Sequence, residues 1–149
     1  MIKSVCCGFL TIYAHGFGTG YLPLMPGTWG TLPALAVAWL LYDQSLMIQV
    51  MVYAWALVLA YLAADIAGKK LGDSDHKSIV CDEIIGILPV LLITPMSQWF
   101  VAFLLFRILD IVKPWPISWV DKDIKGASGC LLDDIVAGFF SYVIMALWF

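Results

Sequence analysis

Between Leu46 and Ala64 the chain reads LMIQVMVYAWALVLAYLAA, nineteen residues without one charged side chain. A helix needs ~20 apolar residues to cross a hydrocarbon core ~30 Å thick, so this run is long enough to span a bilayer. A second such run, Leu131 to Phe149, carries Asp133 and Asp134 at its head. Three shorter apolar segments complete the set: Thr31 to Tyr42, Ile84 to Thr94 and Trp99 to Val112. The eleven residues of Ile84 to Thr94 would reach only ~17 Å as a helix, and Pro89 and Pro95 interrupt it. It and the next segment are therefore two short tilted spans or one re-entrant hairpin. Residues 2 to 14 are apolar but too short to cross, which predicts a helix lying at the interface or against the bundle.

Composition decides the class. The chain is 62% hydrophobic and 13% charged, against about half and a quarter in soluble domains. The expected fold is a single-domain (1–149), all-α integral membrane protein. It is a small bundle of about four to five membrane-embedded helices, some short or re-entrant, with an N-terminal interfacial helix. A formal charge of -3 gives no basic footprint for nucleic acid. Cys6, Cys7, Cys81 and Cys130 have neither CxxC pairing nor regular spacing, so they read as small apolar side chains. Lys3 followed by SVCCGFLTIYA resembles a short signal peptide. Later spans can insert a polytopic chain, and cleavage is not expected.

Sidedness follows from pairing the segments. The first two form an out-and-back pair, and so do the next two. That puts the His15 to Thr31 loop, the 65–83 loop and the 113–130 loop on one face. All eight basic residues fall there, whereas the opposite face has Asp43 alone. The positive-inside rule makes the charged face cytoplasmic, with the C-terminus on the other side.

Acidic pairs meet on that face: Asp82 and Glu83 head the third segment, and Asp133 and Asp134 the fifth. Asp110 lies near the end of the fourth, and Asp65 at the end of the second is peripheral. Each pair read alone is a helix N-terminal cap favoured by the macrodipole. Together, so many carboxylates repel unless a cation sits among them, and oxygen donors without a His or Cys cluster suit magnesium or manganese. Arg107, Asp110 and Lys113 are spaced i, i+3, i+6 and share a helix side. They form either an ion-pair ladder with snorkelling basic tips or a phosphate grip, in which Arg107 holds the phosphate by its planar fork while Asp110 orients it or binds metal.

The loop HGFGTGYLPLMPGTWGT carries five glycines and two prolines, which forbids a regular helix and predicts a structured loop. In the 65–83 loop, Asp73, Asp75, His76 and Lys77 precede IVCDE. His76 is a solvated loop residue or, beside carboxylates, a proton donor to a leaving group. Trp29, Trp99, Trp115 and Trp119 read as interface anchors.

Four stretches in order, GFGTGYLPLMPGTWGTL, DHKSIVCDEIIG, FRILDIVKPWPI and KGASGCLLDDIVAG, resemble the phosphatidylglycerophosphatase A family of bacterial membrane phospholipid phosphatases. The resemblance runs from about Ala14 to Gly138. Ala127 and Leu131 stand where the family favours Gly and Met, and Thr31 where Ser is common; none of these removes a charge. The resemblance implies magnesium-dependent hydrolysis of phosphatidylglycerophosphate, in the bacterial inner membrane, to phosphatidylglycerol and inorganic phosphate. On that reading Asp82, Glu83, Asp133 and Asp134 hold the metal. Arg107 and Lys113 hold the phosphate with Gly27, Thr28 and Thr31, and Asp110 and His76 complete the catalytic set. Two rival classes are another lipid-phosphate phosphatase or phosphotransferase, and an ion-coupled transporter. The transporter reading requires polar residues at mid-membrane depth, and the longest segments have almost none.

Overall fold

The computed structural model describes residues 2–73 and 76–148, with the side chains of residues 2–6 outside the description. Met1, Ser74, Asp75 and Phe149 lie outside the described residues, so Asp75 and the Lys3 side chain are not placed. Eight α-helices form: α1 (Ile2–Ala14), α2 (Pro26–Gly30), α3 (Leu32–Leu41), α4 (Leu46–Leu71), α5 (Cys81–Ile93), α6 (Trp99–Val112), α7 (Ile117–Asp123) and α8 (Ala127–Trp148). No strand occurs among the described residues.

Helix α4 has a start and a stop that its sequence explains. The Ser45 side chain accepts the Ile48 N–H at its head, and Gly72 closes it in the left-handed conformation at φ 75°. Such ends suit a short hydroxyl residue and a residue without Cβ. Its inner face is a stripe of small residues, Ala60, Ala63, Ala64 and Ala67, all buried. Small residues let helices approach closely where van der Waals packing holds them together. Its outer face bares Leu46, Met47, Val50, Trp55 and Val58, each at least half exposed. An apolar surface of that extent is not left to water. Helices α4 and α8 are the two that are long and apolar enough to cross a membrane.

Helix α5 is the central element. Nine of its residues are buried, including Asp82, and it packs on α3, α4 and α8. Its closest neighbour is α8, and two glycines set that distance. A Cβ on Gly86 would stand 2.6 Å from the Asp134 carbonyl oxygen, and one on Gly138 would stand 2.1 Å from the Gly86 carbonyl oxygen. Any side chain at either position would push the helices apart.

At one end of the bundle lie the turns that carry Asp43 and Thr94. There Gln49 Nε2 donates to the Leu41 carbonyl at 3.0 Å, and Trp99 Nε1 donates to the Leu91 carbonyl at 2.8 Å. The Trp99 ring meets Tyr42 edge-on, centroids 5.8 Å apart. Trp99, expected as an interface anchor, instead fastens the turn between α5 and α6 and joins it to the end of α3. The acidic ends of α5, α6 and α8 gather at the opposite end.

Several boundaries differ from the sequence expectation. Helix α4 continues past Ala64 to Leu71, where Ala67 and Gly68 are buried and Asp65 and Lys69 pair one turn apart at 2.6 Å. The glycine-rich loop contains a 3₁₀ turn over Gly16–Tyr21 and the short helix α2, which starts on Pro26, where a missing N–H costs nothing. The 113–130 loop folds in part into α7. Helix α8 begins at Ala127, so its first turn has no acid and Asp133 and Asp134 lie in its second turn. The macrodipole therefore favours Asp82 and Glu83, which are in the first turn of α5, and not the second pair.

Candidate active site

The acidic ends enclose a cavity of about 230 Å³ lined by Asp82, Glu83, Asp110, Asp133 and Asp134, with Lys77, Lys113, His76, Ile79 and Cys130. Asp82, Asp133 and Asp134 are each about 95% buried. Five carboxylates thus face two lysines in one pocket. Among the described residues no basic side chain comes within salt-bridge distance of Asp82 or Asp134.

Arg107 and Lys113 divide the remaining acids. The Arg107 guanidinium donates to Asp110 Oδ2 at 2.6 Å and lies 3.5 Å from Glu83 Oε1. It stands behind those two acids and does not line the cavity. Arg107 therefore fixes Glu83 and Asp110, and it is these acids, not the guanidinium, that line the cavity. Its Nε and the Glu83 Oε2 are buried without a hydrogen-bond partner among the described residues. Lys113 does line the cavity. It caps α6 in the left-handed region (φ 45°, ψ 58°), a conformation that is uncommon outside glycine. From there its ammonium donates to Asp121 Oδ1 at 2.6 Å and to Asp133 Oδ2. The ladder expected along α6 is thus half right: Asp110 pairs with Arg107, while Lys113 turns away toward α7 and α8. Burial alone would lower the Lys113 pKa. Its hydrogen bonds and charge contacts with Asp121 and Asp133 outweigh that and hold it well above the usual lysine range. An ammonium has three donors, and two are used here, leaving one for a ligand oxygen.

The glycine-rich segment contributes differently from the expectation. Gly27 packs where a Cβ would be 2.1 Å from Glu83 Oε1 and 2.7 Å from Arg107 Nη2. Thr31 is fully buried, and its hydroxyl donates to the Thr28 carbonyl at 2.8 Å. Neither threonine lines the cavity. The segment thus closes over the Arg107–Glu83 pair, and Gly30 and Gly16 fit against Val80. Gly27→Ala tests this contact. The clash is with the ends of two side chains, so helicity should persist while Glu83 shifts. Turnover should fall about tenfold to a hundredfold, since a 1 Å misplacement suffices for that. Parallel circular dichroism and activity measurements on the variant check it.

His76 lies at the cavity rim. Its Nδ1 accepts the Ser78 backbone N–H at 3.3 Å and lies 2.8 Å from Ser78 Oγ. A ring nitrogen that accepts there leaves the proton of the neutral ring on Nε2. His15 is a separate structural residue: it is buried, and its Nδ1 donates to the Ser78 carbonyl at 2.6 Å.

Three further residues belong to the site. Asp121 reaches Lys113 only through α7. Lys77 read as a loop charge. Cys130 Sγ donates to Asp82 Oδ2, so it is not the inert apolar filler expected of it. No spacing in the sequence announced Cys130 or Asp121, whereas Lys77 was signalled by its place beside His76.

Whether a metal suits this site is a question of donor kind and number. Glu83 Oε2 is buried and unpartnered, and Asp82 and Asp134 lack a basic counter-charge, so oxygen donors are present and uncompensated. Among the described residues no three His, Cys, Asp or Glu side chains close on one point as a ready-made cage. By kind, these oxygen donors fit magnesium, which takes one or two carboxylates and completes its shell with water and phosphate oxygens.

The apolar outer surface and the charge-lined cavity at one end of the helices define a membrane-associated helical protein with an acidic site at the end of its bundle. The phosphatidylglycerophosphatase A family model matches residues 12–149. The chain belongs to the phosphatidylglycerophosphatase A family, whose members are phosphatases. It is 41% identical to the phosphatidylglycerophosphatase A of Escherichia coli (strain K12) over 140 residues, covering 87% of this chain and 77% of the relative. It is 32% identical to that of Haemophilus influenzae over 141 residues, covering 90% and 85%. A Bacteroides thetaiotaomicron protein named as a candidate phosphatidylinositol-3-phosphatase is 35% identical over 141 residues, covering 89% and 88%. No solved structure matches the chain significantly.

Proposed function

We propose that the chain hydrolyses the terminal phosphomonoester of phosphatidylglycerophosphate to phosphatidylglycerol and inorganic phosphate. The reaction takes place at the cytoplasmic face of a bacterial inner membrane that the chain crosses more than once. The observation that carries this reading is the buried, under-neutralised carboxylate cluster beside a lysine with a donor to spare. That combination suits a phosphate arriving together with a divalent cation.

One or two of Asp82, Glu83, Asp133 and Asp134 would hold magnesium, and Asp82 and Asp134 have no basic side chain within salt-bridge distance among the described residues. When bound, magnesium supplies charge neutralisation and a Lewis acid for the phosphoryl oxygens. Lys113 places its free N–H on a phosphate oxygen, and the ammonium of Lys77 adds charge from the rim. Arg107 keeps Glu83 and Asp110 in position from behind. His76 holds a proton on Nε2 at the rim, where the glycerol oxygen leaves as its bond to phosphorus breaks. Helices α5 and α6, each near 20 Å at 1.5 Å per residue, enter the membrane as a hairpin beside the two longer spans.

Phosphate release from phosphatidylglycerophosphate in detergent, with magnesium and with chelator, tests the reaction. Phosphatidylinositol-3-phosphate serves as the competing headgroup suggested by the Bacteroides thetaiotaomicron relative. Metal-dependent release, faster from phosphatidylglycerophosphate, is the expected result. Release in chelator would end the metal assignment, and preference for the inositol lipid would reassign the substrate. Asp43 belongs to the turn at the other end of the bundle, so Asp43→Asn should keep full activity in the same assay. A large loss would overturn the topology.

A further inference from the structure

Beside the acidic cavity lies an apolar groove, where Gly86 packs on Asp134. The groove, of about 200 Å³, runs between α5 and α8, lined on α5 by Gly86, Pro89 and Ile93 and on α8 by Ile135, Gly138 and Phe139. We propose that this groove is the binding site for an acyl chain of the lipid substrate, so that the α5–α8 crossing selects the lipid as well as holding the two acidic pairs. The proposal rests on the lipid-phosphatase reading above.

Helical periodicity connects the two sites. Residues three and four apart share a helix face. Asp82 and Glu83 therefore continue upward the face that carries Gly86, Pro89 and Ile93. On α8, Asp134 lies one turn above Gly138 and adjoins Ile135. The rise from Asp82 to Gly86 is about 6 Å and from Gly86 to Ile93 about 10 Å, at 1.5 Å per residue. A headgroup fits the first interval and part of an acyl chain the second. Gly86 and Gly138, which bring the two helices together, form the groove's inner wall. Ile93 and Phe139, at the lower end, are each 60% exposed, so the groove opens sideways into the surroundings of the bundle.

Position separates this groove from the other apolar hollows. A cavity of about 410 Å³ between α1 and α4 is lined by Ile48, Met51 and Trp55, on the half of α4 remote from the acidic end. A third, beside Leu105 and Trp148, lies along the outer half of α8. Of these three, only the α5–α8 groove has lining residues that adjoin or pack on the site carboxylates. A ligand with its phosphate among the carboxylates and its chain still in lipid has this groove next to it.

Ile93→Trp narrows the groove from its open side, where the packing between helices is left intact. The measurement is kcat/KM on phosphatidylglycerophosphate with long and with short acyl chains, in one detergent. The long-to-short preference should fall about tenfold relative to wild type, the equivalent of roughly two methylene groups of the chain left unburied. Met51→Trp, in the α1–α4 hollow, should leave the preference unchanged. An unaltered preference in Ile93→Trp, or an equal fall in Met51→Trp, overturns the proposal. So does a change in oligomeric state specific to Ile93→Trp, which would mark the groove as an interface between copies. Phosphatidylglycerophosphate carrying a mid-chain diazirine reports binding without turnover. Crosslinks on α5 and α8 support the groove even if the wild type releases no phosphate, which would end the headgroup reading alone. Crosslinks confined to α4 would end the groove.

Discussion

Asp134→Asn should reduce phosphate release at least about a hundredfold while leaving the protein as stable as wild type, or more so. Ordinarily a change that abolishes activity is suspected of unfolding the protein, and here the two effects should run in opposite directions. Asp134 is about 95% buried, and among the described residues no basic side chain lies within salt-bridge distance of it. Its backbone and Cβ press against Gly86 at the α5–α8 crossing, and Asn keeps that shape. The substitution therefore removes a buried carboxyl whose ionised form has no counter-charge, without opening a cavity, and losing such a group is neutral or favourable to folding. The same charge is what a divalent cation would be held by, so the magnesium concentration for half-maximal activity should rise sharply. Thermal unfolding and magnesium titration on one preparation separate the effects. Full activity, or inactivity with a large fall in Tm, would remove Asp134 from the metal site. Asp133→Asn makes the contrast: Asp133 is a partner of Lys113, so that variant should lose stability too.

The elements of this site were legible in the sequence to different degrees. The acidic pairs stood out because charge beside an apolar run is costly, and the Arg107–Asp110 contact is local, at i, i+3. What a residue meets across the fold was not legible. Nothing near Gly27 announces that Glu83 and Arg107 end against it, so its role as clearance could not be read from the sequence. The start of α8 was missed because Ala127, Ser128 and Gly129 carry no apolar period. Their turn is closed by local backbone bonds, with the Gly129 and Cys130 N–H groups donating to the Gly126 carbonyl, and a Cβ on Gly129 would meet the Ile124 carbonyl at 2.0 Å. Lys113 was misdirected by periodicity: its left-handed backbone swings the side chain off the face that i, i+3 counting assigns it.

That left-handed turn makes Lys113 the second position where a large effect is expected. Lys113→Ala should lower kcat/KM for phosphatidylglycerophosphate about a hundredfold to a thousandfold, the cost of removing one charge donor from a preorganised site. It should also lower stability, because Asp133, 6% exposed at its side chain, loses its cationic partner and an unsatisfied buried group costs about 1–3 kcal/mol. Two opposing changes act at once: relief of a left-handed residue would favour Gly over Ala, whereas only a cation answers Asp133. Lys113→Gly should therefore regain part of the stability and none of the activity. Lys113→Arg should regain charge, with partial activity, since its planar fork does not reproduce the three-way division of one ammonium among Asp121, Asp133 and phosphate. Lys113→Ala leaves the buried Asp133 to ionise without its cation, so as the pH is raised from the acid side the variant should lose more stability than the wild type. A Lys113→Ala variant with wild-type kcat/KM would show that phosphate is held elsewhere in the cavity, with Lys77 the remaining lysine on its lining.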